Sequence, residues 1–284
     1  MPKTIKAKLL LGWMPWEEAK QFLLDKCVFD PVMTESDALA LWNTYRDKVA
    51  ALPKRVPGIP AFLEFNKREK IAVHDFKKRP RQIKDTIHDV VKIDPRKLVL
   101  HQFYVVTERS KEYAKRMHND KQRIKHCFGL DVQNVETSQS GDITTIKLPH
   151  FEYDLGEGIA PNGQRVLNIV EWPRFMSVVN RGDRFLLWGG YHRTYAFLSH
   201  TEPEGPEEPP LVTLITSPLS DSFFSQTSWR PTVRDSVLGD CPALFEDFLD
   251  PDLFMEVSFR KQRREIRFDA AAKTVSHGFV DDES

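Results

Sequence analysis

The sequence predicts an α+β protein. Three observations carry that expectation: 284 residues with 40% hydrophobic content, enough to bury a full core; short apolar runs of strand type from residue 89 onward; and helical spacing of apolar residues before and between those runs. Strands interleaved with helices in one segment argue for a mixed sheet with helices rather than an all-helical bundle. Basic and acidic residues balance at 41 each, so no global polycation is indicated. Cys27, Cys127 and Cys241 lack C-x-x-C spacing. That speaks against a disulfide framework or a structural zinc site, and the expected compartment is reducing and cytoplasmic.

Residues 1–57 read as a helical region. In "MPKTIKAKLLLGWMPW" the apolar run is too short for a signal segment or a membrane span, so no membrane partner is expected. Pro15 opens a segment with Trp16, Ala19, Phe22 and Leu23 on one face. "TESD" has the form of a capping box, in which Thr34 and Asp37 satisfy amide groups at a helix start. Ala38, Trp42, Tyr45, Val49 and Leu52 then recur at steps of three and four. The prolines of "LPKRVPGIP" end that helix. Residues 58–88 form a basic linker with Lys67, Arg68, Lys70, Lys77, Lys78, Arg79, Arg81 and Lys84. Such a run is a solvated surface, or a face for DNA or an acidic partner.

Residues 89–216 carry the strand pattern. "DVVKIDPRKLVL" is a strand with a proline turn, "SKEYAKRMHNDKQRIKHCFG" a polar helix closed by Gly129, and "DITTIKLP" a strand. "RFMSVVNRGDRFLLWGG" reads as a hairpin around "NRGD", with Phe175, Val179, Phe185 and Leu187 as core positions; "LVTLITSP" is a buried strand. "HTEPEGPEEPP" is a solvated loop. Residues 217–284 form an extension packing on the core. It holds a short helix in "CPALFEDFLDPDLFMEVSF", a basic edge strand in "RKQRREIRFDA" and a disordered last dozen residues.

The chemistry concentrates in "GGYHR". A strand ending at Trp188 delivers the chain to Gly189 and Gly190, which permit tight turning and close backbone approach. A helix starting at Tyr191 would aim its first amides outward, a natural anion site. Arg193 would add a planar guanidinium, and His192 and Thr194 further donors. The alternative is a strain-relieving turn with Arg193 paired to a carboxylate and His192 in the core. Trp188 would stack on a base or pack in the core. "DLGEGIAPNG" is a flexible loop without the lysine and hydroxyl of a phosphate-binding loop. The alternating His150, Glu152 and Asp154 of "HFEYD" make an exposed strand face or an oxygen-rich metal site.

The order "VVKIDPRKLVLHQF", "SKEYAKRM", "FMSVVNRGDRFLLWGGYHRTYAF", "EPPLVTLI" resembles the ParB/sulfiredoxin-like nucleotide-binding fold. Gly190, Arg193 and Ala196 match its G-x-x-R-x-x-A helix start. The resemblance covers roughly residues 89–216, with an insertion at about 128–163. It implies that Gly189, Gly190, His192, Arg193 and Thr194 face the phosphates of a nucleoside triphosphate. The resemblance also implies that Gln102 lies near the ligand and makes Arg109 a candidate phosphate contact and Glu108 a candidate Mg2+ ligand. Glu108 and His192 are the candidate catalytic groups. Tyr191 stands where sulfiredoxins carry their nucleophilic cysteine, so sulfinic-acid reduction is excluded. Three functions follow: NTP- and metal-dependent phosphoryl transfer or hydrolysis, a non-catalytic module that senses nucleotide or binds DNA, or a protein-interaction role with a vestigial corner. DNA contact would run through the basic segments at residues 67–84, 111–125 and 260–267.

Overall fold

The computed structural model describes residues 3–55, 57–78, 89–117, 119–128, 136–140, 143–148, 153–159, 165–171, 176–181, 184–199, 210–215, 237–269 and 274–281. The chain groups into two units: a larger one of Ile5–Gly129 and Phe175–Phe259, and a smaller one of Met1–Thr4, Leu130–Arg174 and Arg260–Ser284. The α+β class is observed, with helices accompanying small, largely antiparallel sheets.

In chain order, β1 (Thr4–Leu9) precedes α1 (Trp16–Gln21) and α2 (Glu35–Ala50). The capping box is present: the Asp37 amide donates to Thr34 Oγ1 at 3.2 Å, and the Thr34 amide donates to the Asp37 carboxylate at 3.3 Å. Residues 4–9 form a strand rather than part of a helical region. Alternation in β1 turns Ala7 and Leu9 inward, and the strand gains its ladder from distant partners. Gly12 follows it because α2 passes close by: a β-carbon there would clash with the Tyr45 carbonyl oxygen and the Val49 side chain.

Next come β2 (Phe62–Leu63), α3 (Lys67–Lys77), β3 (Asp89–Ile93), β4 (Tyr104–Val106), α4 (Thr107–Arg116) and α5 (Asp120–Cys127). The expected basic linker therefore contains a strand and a helix. α3 starts with a second capping box, in which the Glu69 amide donates to Asn66 Oδ1 at 2.9 Å and the Asn66 amide to Glu69 Oε2 at 2.8 Å. Val73 and Phe76 face inward, and the Phe76 ring stacks on Phe128 at 4.3 Å.

β5 (Glu136–Ser140), β6 (Ile143–Leu148), β7 (Tyr153–Ile159) and β8 (Arg165–Glu171) belong to the smaller unit. "DLGEG" lies in β7, paired antiparallel with β8, and so is strand rather than loop. His150 and Glu152 lie outside the described residues. β9 (Ser177–Arg181) and β10 (Arg184–Gly189) form the expected hairpin. Val179, Phe185 and Leu187 are buried; Phe175 and the turn tip at 182–183 lie outside the described residues. α6 (Tyr191–Ser199) follows, then β11 (Leu211–Ile215), β12 (Met255–Arg260), β13 (Gln262–Asp269) and β14 (Thr274–Asp281). β13 is central in the order β14-β13-β6-β5, not an edge. The tail expected to be disordered supplies β14, which pairs with β13 from Thr274 to Asp281.

Two sheets organise the larger unit, with orders β12-β1-β4 and β10-β9-β11-β3-β2. β11 lies parallel to β9 and antiparallel to β3. Beside β10 runs Leu98–Val99–Leu100, fully buried. Val99 exchanges backbone bonds with Phe185 and Leu187 at 2.8 and 3.0 Å, while Leu98 and Leu100 bond Phe245 and Ala243 at 3.0 and 2.9 Å. The same chain continues into β4, so one segment of nine residues, 98–106, touches both sheets.

A buried ion cluster joins α3, β3 and α5. Glu69 is fully buried and meets Lys92 Nζ at 3.2 Å and Arg123 Nη2 at 2.9 Å. Removing one member of such a cluster leaves buried charge behind. Glu69→Gln is therefore expected to lower unfolding free energy by roughly 3–5 kcal/mol, read from urea denaturation followed by circular dichroism. A change under about 1 kcal/mol, the range of exposed pairs, would show that the cluster is not dry.

Candidate functional site

β10 ends in an irregularity: its register with β9 shifts between Leu187 and Gly189, and one residue, Gly190, then connects it to α6. The expected strand-to-helix corner is present. Gly190 has φ +91°, and a β-carbon there would lie 2.7 Å from Met176 Cγ and 3.1 Å from Met176 Cα. The need for glycine thus has two local causes, a left-handed backbone and a neighbouring chain. The Gly190 carbonyl accepts from the Thr194 amide at 2.8 Å and from its hydroxyl at 3.0 Å.

Arg193 does not face outward as expected. It is buried, and Nη1 donates to the His126 carbonyl in the last turn of α5 at 2.8 Å. A guanidinium at a helix C-terminus complements carbonyls that lack partners further along the helix. Ala196 is buried too. Positions 190, 193 and 196 share one face because three-residue steps advance little around a helix, and that face is turned to the interior. Trp188 packs against the cluster of Val99, Val179, Leu186, Val237 and Leu244, the core role of its two readings.

Tyr191 holds the corner. Its hydroxyl donates to the Leu187 carbonyl at 2.8 Å and accepts from the amides of His101 at 3.0 Å and Gln102 at 3.2 Å. Burial pushes the phenol's pKa above its ordinary value, opposed by the bonds from His101 and Gln102. Gln102 Nε2 donates to the Tyr104 carbonyl at 2.9 Å, so this side chain shapes the turn. The His101 ring lies 5.1 Å from Trp188 and 5.5 Å from Tyr191, with Nε2 at 3.3 Å from the Trp188 carbonyl. A carbonyl only accepts, which assigns the proton to Nε2.

Two of the remaining candidates, Arg109 and His192, lie near Tyr104. Its ring centroid is 6.3 Å from that of His192. Arg109, in the first turns of α4, acts electrostatically on the Tyr104 phenol, whose pKa burial raises, Arg109 draws back and the Glu18 carboxylate pushes up again. Arg109 also donates to the Tyr113 hydroxyl at 3.1 Å. Glu108 sits beside it in the first turn, and Glu108, Arg109 and His192 are all half-buried. β4 runs into α4 with no intervening loop, α6 packs on both β4 and α4, and two helix starts thus meet near Tyr104. Sequence reasoning missed Tyr104, His101 and the bonding role of Tyr191. The signal for Tyr104 was its position directly before the "VVTERS" helix start.

Thiol chemistry finds no support here. Burial raises Cys27 to about 12 and Cys127 to about 11, and holds Cys241 above its ordinary value, so all three are thiols at neutral pH. A groove of about 470 Å3 lies between Leu63, Lys92, Asp94, Arg96, Phe197 and Leu198. None of the predicted site residues lines it. No helix among the described residues is long and apolar enough to cross a membrane. Comparison with known protein families, with curated proteins and with solved structures finds no match for this chain.

Two outcomes are expected at the corner. Gly190→Ala should lower stability by roughly 1–3 kcal/mol, the scale of a strained left-handed residue, measured by urea denaturation; a melting curve equal to wild type would contradict the packing against Met176. His101 gives a pH dependence. Burial lowers its pKa from 6.5 to about 4, partly opposed by the bond to Trp188, so between those values the unfolded chain binds a proton that the folded chain rejects. Stability should fall as pH drops through that window, by at most about 3 kcal/mol. His101→Gln should flatten this part of the stability profile relative to wild type, and identical profiles would show that His101 is not the group responsible.

Proposed function

We propose that the larger unit is a nucleotide-binding module of the ParB/sulfiredoxin-like type, with the phosphates held where α4 and α6 begin. The observation that carries this reading is the convergence of Arg109 and His192 on Tyr104 at two adjacent helix starts. Helix N-termini carry partial positive charge and unpaired amides, Arg109 supplies a permanent charge, and His192 supplies a donor. The sheet order supports it as well, since β3, β9, β10 and β11, the strands of the resemblance, lie in one sheet.

The contact set is narrower than the motif implied. Arg193 and Thr194 are buried and bond within the protein and Gly190 packs on Met176, so the reading rests on the half-buried Arg109, His192 and Glu108. Among the described residues no group of three or more His, Cys, Asp or Glu side chains could hold a metal ion. One carboxylate fits Mg2+ when the nucleotide's own phosphates complete the shell, because this ion keeps water and phosphate ligands readily. Glu108 is that carboxylate, and the bound ion would supply charge neutralisation for phosphoryl transfer or hydrolysis.

Thermal melting with ATP, GTP, CTP and UTP, each with and without magnesium, tests the reading. At least one nucleotide should raise Tm, corresponding to about 2.7 kcal/mol at a hundredfold excess over Kd. Arg109→Ala and His192→Ala should abolish the rise while keeping a cooperative ligand-free melting transition. Arg193→Ala should lower the ligand-free Tm instead. Phosphate release in the same samples separates turnover from binding. No nucleotide-dependent rise, or an undiminished rise in both variants, would overturn the site.

A further inference from the structure

The fold brings together two basic stretches that lie far apart in sequence. α5 packs against α3, through the Glu69–Arg123 pair and the Phe76–Phe128 stack, and against α4, where the Tyr113 and His126 rings lie 4.7 Å apart. On α3 the residues turned to solvent include Lys67, Lys70, His74 and Lys77, spaced at three and four residues along one stripe. α5 exposes Lys121 and Lys125, and α4 exposes Lys111, Lys115 and Arg116. Against these cations stand the exposed acids Asp75 and Glu112 on the same helices, with Asp89 held by Lys77 at 2.7 Å. In a chain of zero net charge, this is a marked segregation of sign.

We infer that the α3–α5–α4 face binds the phosphate backbone of duplex nucleic acid without sequence preference, separately from the nucleotide site. Cations on one helix stripe stand roughly 5–6 Å apart and meet a dense line of phosphates whose counterions they release. Of the large apolar residues of α3, Val73 and Phe76 are buried in the core and only Ile71 is exposed; one side chain is no apolar face, which argues against a membrane surface, where a helix must insert its apolar side. The three helices expose no aromatic residue among those described, which argues against a protein interface, whose centre is aromatic-rich and lysine-poor.

Fluorescence anisotropy of the full chain with a labelled duplex of about 24 base pairs, repeated across KCl concentrations, tests this, since each phosphate contact adds about 0.9 to the salt slope. Wild type should bind duplexes of unrelated sequence equally, with affinity falling steeply as salt rises. Lys70→Glu, Lys111→Glu and Lys121→Glu, one on each helix, should each weaken binding several-fold. Combined, they should weaken it at least about tenfold and reduce the slope by about three, with Tm unchanged. A variant of the basic strand, Arg263→Glu/Arg264→Glu, should bind like wild type. Absence of binding at low salt, loss only in the β13 variant, or stronger binding to anionic vesicles or polyglutamate would overturn the inference. The nucleotide-melting result is unaffected by any of these outcomes.

Discussion

The larger unit depends on one hydroxyl group. Where β10 loses register with its hairpin partner, the chain must turn into a helix, and that turn would leave backbone groups without a ladder. Tyr191 resolves this with a single oxygen, donating to Leu187 and accepting from His101 and Gln102. Those two amides belong to the segment that has just bridged β10 to residues 243–245 and is about to become β4. An unmade bond in a buried place costs roughly 1–3 kcal/mol per group, so the phenol fixes α6 and segment 101–104 together. Its position also explains why His192, the next residue, comes to stand beside Tyr104.

The motif positions Gly190, Arg193 and Ala196 show how one spacing can serve two purposes. A helix start with glycine and arginine three residues apart suits an anion if the shared face meets solvent, and suits a core if it meets protein. Here Met176 lies against Gly190, and the end of α5 lies against Arg193. Periodicity determines which residues share a face. What stands opposite that face depends on partners more than sixty positions away, such as His126 for Arg193, and no local pattern encodes them.

The same distinction separates what was legible in the sequence from what was not. The capping box at Thr34, the hairpin before the glycines, and the strand and proline turn at 89–97 are local, and all are present. β1 does not read locally as a strand, because its six residues find their ladder only against β4, almost a hundred positions later, and β12. β13 reads as an edge by its charge, yet it lies between β14 and β6 because two remote segments pair with it. At α3 the density of lysines concealed a second capping box, although Asn66 and Glu69 have the required spacing. Its Glu69 carboxylate also serves Lys92 and Arg123, a tertiary use invisible along the chain.

The balanced charge of the chain therefore conceals two populations of cations. Lys92, Arg123, Arg193 and Arg55 are buried or nearly so and are committed to the fold: two to Glu69, one to the His126 carbonyl and one to Asp247 at 2.7 Å. Ion pairs of this kind are weak contributors when compared with apolar replacements, but breaking one is costly because the partner's charge remains buried. These cations are thus held in place by the penalty for leaving, and a ligand would have to repay that penalty to recruit them. Arg109, His192 and the lysines of α3, α4 and α5 stand under no comparable constraint from burial. On the proposed reading, recognition of an anion would fall to this second group, whose side chains are less deeply buried than the first.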